Sequence, residues 1–140
     1  MATPANWPDK SETGKTQALV AIVDDDESVR ESLPDLLRGL GFAAKAFDSA
    51  DAFLAFKDIS RTQCLLLDVC MPGMSGPELQ QKLSSRGIPV PIVFITARAD
   101  ESVREKLMQS GAAACLFKPF SELQLRAAVD AALRQIGDSR

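Results

Sequence analysis

"LLLDVCMPGMSG", residues Leu65 to Gly76, ends an apolar run on a lone aspartate and follows it with a turn rich in proline and glycine. Three leucines in a row suit a strand buried on both faces, as in a parallel sheet covered by helices on either side. Asp68 would be costly inside such a core, so the run predicts a strand whose C-terminal end reaches a polar edge.

Working outward, the same grammar repeats. "ALVAIVD" (Ala18 to Asp24) reads as a first strand, "FAAKAF" (Phe42 to Phe47) as a second and "CLLLD" as the third. "PIVFIT" (Pro91 to Thr96) and "AACLFK" (Ala113 to Lys118) read as the fourth and fifth. Between the first two, Val29, Leu33, Leu36, Leu37 and Leu40 recur at helical spacing, with Gly39 and Gly41 as stop signals. Residues 49–57 predict a short helix, and residues 100–110 one that ends at Gly111. Ser75 with Glu78, and Ser121 with Gln124, form capping-box spacings that open helices reaching about Arg86 and Ile136. Pro34 falls inside the first helix and predicts a kink there or a delayed start.

Five β–α units of this kind predict an α/β fold with a five-stranded parallel sheet and helices on both faces. Right-handed crossovers make the strand order 2-1-3-4-5 the economical choice. The chain of 140 residues suits one domain. Residues 1–17 read as a disordered tail, 18–136 as the domain and 137–140 as a C-terminal tail. "TGKT" (Thr13 to Thr16) invites a phosphate-loop reading, but position 9 is Asp rather than Gly and no strand precedes it. Trp7 in that tail is an interaction anchor or a stray aromatic.

Composition removes several function classes. The chain has no histidine, which excludes Ser–His–Asp and Cys–His catalysis, His-containing zinc sites and histidine phosphocarriers. A net charge of −3 argues against a nucleic-acid-binding surface. No 18-residue apolar stretch exists to span a membrane, and the N-terminus lacks the apolar segment of a secretory signal. Three widely spaced cysteines then suit reduced thiols and a cytoplasmic setting.

The chemistry converges at one sheet edge. Asp24 and Asp25 follow the first strand, Asp68 ends the third, Thr96 ends the fourth and Lys118 closes the fifth. Parallel strands bring these ends together, beside the crevice at the switch in strand order. Three carboxylates there repel one another and raise one another's pKa. Lys118 offsets one charge, and a hard divalent cation such as Mg²⁺ suits the rest. With a lysine and a threonine hydroxyl beside it, the site reads as a phosphoryl clamp with Asp68 as nucleophile. The bland alternatives are helix N-terminal acids for Asp24 to Asp26, a solvated lysine for Lys118 and a β-favouring strand end for Thr96. That alternative is accepted for Asp26 alone.

"IVDDDESVR", "LLLDVCMPGMSG", "FITA" and "KPF", in this order, resemble the receiver domain of bacterial two-component response regulators, most of all the FixJ/NarL type. The resemblance covers residues 18–136 and implies a flavodoxin-like, CheY-like fold. It implies Asp68 as phosphoacceptor, charged by a sensor histidine kinase or phosphotransfer protein with Mg²⁺ and discharged by hydrolysis, without turnover of external substrates. Asp25 would ligate Mg²⁺ directly and Asp24 mainly through a water, with Asp68 also in the metal site and Cys70 contributing its backbone carbonyl. Thr96, Lys118 and the Ala97 amide would hold phosphoryl oxygens. Thr96 would also couple phosphorylation to the fourth and fifth units. Such receivers often carry an aromatic switch residue three positions before the lysine; this chain has Cys115 there and no tyrosine.

The resemblance also implies output through protein contacts of the fourth helix, fifth strand and fifth helix, including homodimers. Arg98, Asp100, Glu101, Arg104 and Glu105 give that face mixed charge. Two alternatives remain: a degenerate receiver acting as a binding module, and a haloacid-dehalogenase-like phosphatase. The latter needs an acid two residues after the nucleophile, where Cys70 stands. Cys70 itself is read as a tolerated side chain rather than a redox sensor, and Cys64 and Cys115 as core. Phe42, Phe47, Phe53 and Phe56 are expected to pack the second unit. A transcription factor would need a helix-turn-helix after the receiver, for which a sequence ending at Arg140 has no room. The expectation is either a single-domain regulator, which the starting Met and the tail slightly favour, or the receiver of a longer protein.

Overall fold

A computed structural model describes residues 17–98 and 100–138. The strands are β1 (Leu19–Val23), β2 (Ala43–Phe47), β3 (Cys64–Asp68), β4 (Ile92–Thr96) and β5 (Ala114–Phe117). The helices are α1 (Glu27–Gly39), α2 (Ala50–Leu54), α3 (Gly76–Ser85), α4 (Glu101–Gln109) and α5 (Glu122–Asp138), with a one-turn 3₁₀ helix over Ile59–Arg61. All pairings are parallel and the order is β2-β1-β3-β4-β5. This is the predicted doubly wound, flavodoxin-like sheet.

Strand residues alternate between two cores because successive side chains leave a sheet on opposite faces. Ala21, Val23, Leu65, Leu67, Ile92 and Phe94 bury against Phe53 of α2, Leu79 and Leu83 of α3 and Leu107 of α4. Val20, Ile22, Leu66, Val93 and Ile95 bury against Leu33 and Leu37 of α1 and Leu125, Val129 and Ala132 of α5. Two-sided burial explains why the central strands read as unbroken apolar runs.

Local signals act as their chemistry dictates. Ser75 and Glu78 close a reciprocal capping box on α3. Ser121 and Gln124 do the same ahead of α5, with exchanged bonds of 3.0 and 2.8 Å. Asp26 caps α1 by accepting from the Ser28 amide at 3.0 Å, which confirms its structural reading.

Three expectations need correction. The start of α1 is not delayed by Pro34: the helix begins at Glu27 and Pro34 is buried within it. Asp26 supplies a strong start signal ahead of the proline. The second helix is shorter than residues 49–57: it ends at Leu54, where the Phe56 amide closes a turn on the Phe53 carbonyl at 3.0 Å ahead of the 3₁₀ helix. Phe47, Phe53 and Phe56 do form one aromatic group, with ring centroids 5.0–6.5 Å apart. Phe42 lies outside it and packs on the α1/α5 side, since it precedes β2 and points to the other face. The readings of "TGKT" and Trp7 fall outside the described residues.

Candidate functional site

The C-terminal ends of β1 and β3 bring Asp24, Asp25 and Asp68 together, with carboxylate oxygens all within 4.8 Å of one another. Asp24 is fully buried, Asp68 is 7% exposed and Asp25 is exposed. Asp24 and Asp68 are the ionisable side chains among the four buried polar residues described, the others being Thr62 and Thr96.

Each group is held by its own element. Asp24 extends β1: its amide donates to the Phe47 carbonyl at 3.2 Å. Its Oδ1 accepts from the Asp26 amide at 2.9 Å. The Lys118 ammonium, arriving from the end of β5, lies 3.2 Å from Asp24 Oδ2. Among the described residues no donor is aligned on that oxygen as a hydrogen bond, so it is offset in charge while its lone pairs stay available. The Lys118–Pro119 peptide is cis. The Lys118 amide donates to the Thr96 carbonyl at 2.9 Å, tying the ends of β4 and β5 together.

Asp68 accepts a long bond of 3.4 Å from the Cys70 amide. Burial, and then the Asp24 carboxylate beside it, push its pKa up to about 7; the Lys118 ammonium and the Cys70 amide oppose the rise. The predicted crowding penalty is felt at Asp68. Thr96 is buried at the end of β4, and its Oγ1 accepts from the Arg98 amide at 3.1 Å. Ala97 follows it, exposed.

Cys70 is exposed, Cys64 is buried and Cys115 is half-buried against the α2–α4 core. Burial pushes the Cys64 thiol up to about 12, which makes it a core group. Cys115 is also raised by burial, with the Arg104 charge opposing.

Two residues at this edge carry no sequence signal of their role. Gly76 opens α3 so close to β3 that a Cβ there would sit 2.6 Å from the Asp68 carbonyl oxygen. Arg30 of α1 donates from Nη1 to the Asp24 carbonyl at 3.1 Å. A glycine in a Pro–Gly–Met–Ser–Gly turn reads only as a turn, and an arginine six positions on reads as a solvated helix face.

An acidic cluster of hard oxygen donors, one buried oxygen lacking an aligned donor, and an acid whose ionisation is suppressed until charge is neutralised together suit a divalent cation. A lysine and a threonine hydroxyl at the neighbouring strand ends suit an anion beside it.

Residues 20–130 match the family model described as the response regulator receiver domain. Response regulator protein TmoT of Ectopseudomonas mendocina is 41% identical over 118 residues, covering 84% of this chain and 54% of that protein. Among solved structures, response regulator StyR superposes with a TM-score of 0.79 at 43% identity, covering 89% of this chain and 63% of that one. FixJ-N superposes with a TM-score of 0.77 at 38% identity, covering 85% and 95%. The chain spans about half the length of the curated relatives it matches.

Proposed function

This chain belongs to the response regulator receiver domain family, the signalling modules of two-component systems, and from that premise we propose that Asp68 accepts a phosphoryl group from a sensor histidine kinase or phosphotransfer protein. The observation that carries this reading is the meeting of Asp24, Asp25 and Asp68 with the Lys118 ammonium at one sheet edge.

In the transfer, an Asp68 carboxylate oxygen attacks phosphorus in a phosphohistidine. The P–N bond breaks, its electron pair stays on the imidazole nitrogen, and that nitrogen takes a proton from solvent. The product is an acyl phosphate on Asp68. Only ionised Asp68 attacks, so its raised pKa makes neutralisation of the site part of the reaction. Asp24, Asp25, Asp68 and the Cys70 carbonyl would hold Mg²⁺, which when bound neutralises these carboxylates and draws charge from the phosphoryl oxygens.

Lys118 and the Ala97 amide receive the transferred oxygens, and the Thr96 hydroxyl turns from the Arg98 amide to donate to one of them. Cys115, with no aromatic ring to swing, leaves that turn to the β4–α4 connection. Discharge is attack by water on phosphorus, which releases orthophosphate and restores the carboxylate. Residues 18–136 form the receiver, with residues 1–17 and 137–140 flanking it. It works in the cytoplasm and signals through protein contacts of α4, β5 and α5 rather than by binding nucleic acid itself. Among the described residues no helix is long and apolar enough to cross a membrane.

The test is intact mass after incubation with Mg²⁺ and a small-molecule phosphodonor. One phosphoryl adduct is expected on wild type, none on Asp68→Asn and none after chelation. Absence of an adduct on wild type under every condition would replace this reading with a degenerate receiver that binds partners constitutively.

A further inference from the structure

We infer that Arg30, which lies outside the acidic triad, is a positioning residue for the divalent-cation site, an inference that rests on the cation reading given above. Besides its ion pair with Lys118, Asp24 is held by three hydrogen bonds. Its amide donates to the Phe47 carbonyl at 3.2 Å and its Oδ1 accepts from the Asp26 amide at 2.9 Å. Those two bonds fix the strand end and the side chain. The third, from Arg30 Nη1 to the Asp24 carbonyl at 3.1 Å, acts on the peptide that joins Asp24 to Asp25.

That peptide decides where Asp25 points. Asp25 is exposed and makes no hydrogen bond or ion pair among the described residues, yet its carboxylate belongs to the triad. Rotation of the Asp24–Asp25 peptide would carry it out of reach. Arg30 is well placed to prevent this. It is half-buried, and its own amide is bonded to the Asp26 carbonyl at 3.1 Å in the first turn of α1. The guanidinium therefore staples the loop from a rigid base, and its planar fork loses little freedom in doing so.

Charge and positioning make opposite forecasts, which gives the inference its edge. A cation beside a dication site repels the incoming ion, so charge alone predicts tighter Mg²⁺ binding when Arg30 is neutralised. Positioning predicts weaker binding, because a ligand held in place by an outer residue is lost with it, commonly by about 10-fold or more in affinity.

The experiment is calorimetric titration of the full chain with Mg²⁺ at fixed ionic strength, for wild type, Arg30→Met, Arg30→Lys and Asp25→Asn. Arg30→Met keeps the apolar stem without charge or donor, and should bind about 10-fold more weakly. Arg30→Lys, with its charge and a single-point donor, should fall between it and wild type. Equal or tighter binding by Arg30→Met overturns the inference. If Arg30→Met does not fold, Arg30→Lys decides: weaker binding at retained charge supports positioning, and wild-type affinity overturns it. Wild type binding while Asp25→Asn does not, with both Arg30 variants normal, removes this inference alone. No binding by wild type removes the cation reading and this inference with it.

Discussion

Asp68 ionises against its surroundings. Burial and the Asp24 carboxylate hold its pKa at about 7, against 3.8 for an ordinary aspartate. The folded chain therefore binds more protons than the unfolded chain between those two values. By linkage, stability contributed here is present below about pH 4 and falls as pH rises toward 7, the reverse of a salt-bridged carboxylate. Asp68→Asn removes the penalty. Denaturant unfolding without divalent cation should show Asp68→Asn more stable than wild type by about 1–3 kcal/mol at pH 8. The gap should close toward pH 4. An asparagine variant no more stable than wild type at pH 8 would mean that Lys118 fully compensates the site. The residues of this pocket were legible in sequence because each ends a strand, and parallel strands end on one edge. Arg30 was not, because its role depends on how a long side chain reaches back from a helix to a backbone carbonyl.

At the scale of elements, the site depends on how α3 leaves β3. The Gly76 amide bonds to the Val69 carbonyl at 3.0 Å, and a Cβ on Gly76 would meet the Asp68 carbonyl oxygen at 2.6 Å, the Val69 Cα at 3.1 Å and Phe94 Cε1 at 3.2 Å. Two of these are backbone atoms, of Asp68 and of Val69 beside it, with no flexible end to yield. Gly76→Ala should therefore cost about 1–3 kcal/mol in urea unfolding, as overpacking does. Gly39→Ala is the contrast: nothing lies within 4 Å of its Cβ, and it ends α1 without a positive φ. That change should be neutral or stabilising by up to about 1 kcal/mol. Equal losses at both positions would refute the close approach. Periodicity and capping boxes placed the helices to within a few residues, because those signals are local. They could not show that α1 accommodates Pro34, nor that Phe42 belongs to the α1/α5 core, since both outcomes are set by packing across the sheet.

The molecule as a whole sorts its polar groups by end and by face. The acidic triad and Lys118 sit at the C-terminal edge of the sheet, helices cover both sheet faces, and much of the remaining charge lies on exposed helix surfaces and loops. Arg104 pairs with Glu101 at 3.5 Å on α4, and Arg126 with Asp130 at 3.9 Å on α5. Both pairs are largely exposed, so each adds little to the stability of one chain. Their value lies in what they can exchange. Pairs of opposite sign on one face can re-pair across a two-fold axis, where the same patch serves both copies. We propose that phosphorylation, acting through Thr96 and the β4–α4 connection, frees this α4–β5–α5 face for a homodimer. Sedimentation should then show a monomer without phosphate and a concentration-dependent dimer with it. The dimer should weaken at about 0.5 M salt, where charges separated by more than a few ångströms are screened. Arg104→Glu, which turns an attractive pairing into a repulsive one, should lower dimer affinity without lowering the yield of Asp68 phosphate. Identical sedimentation of the two forms across a broad concentration range would exclude the dimer and leave this face for a different protein partner.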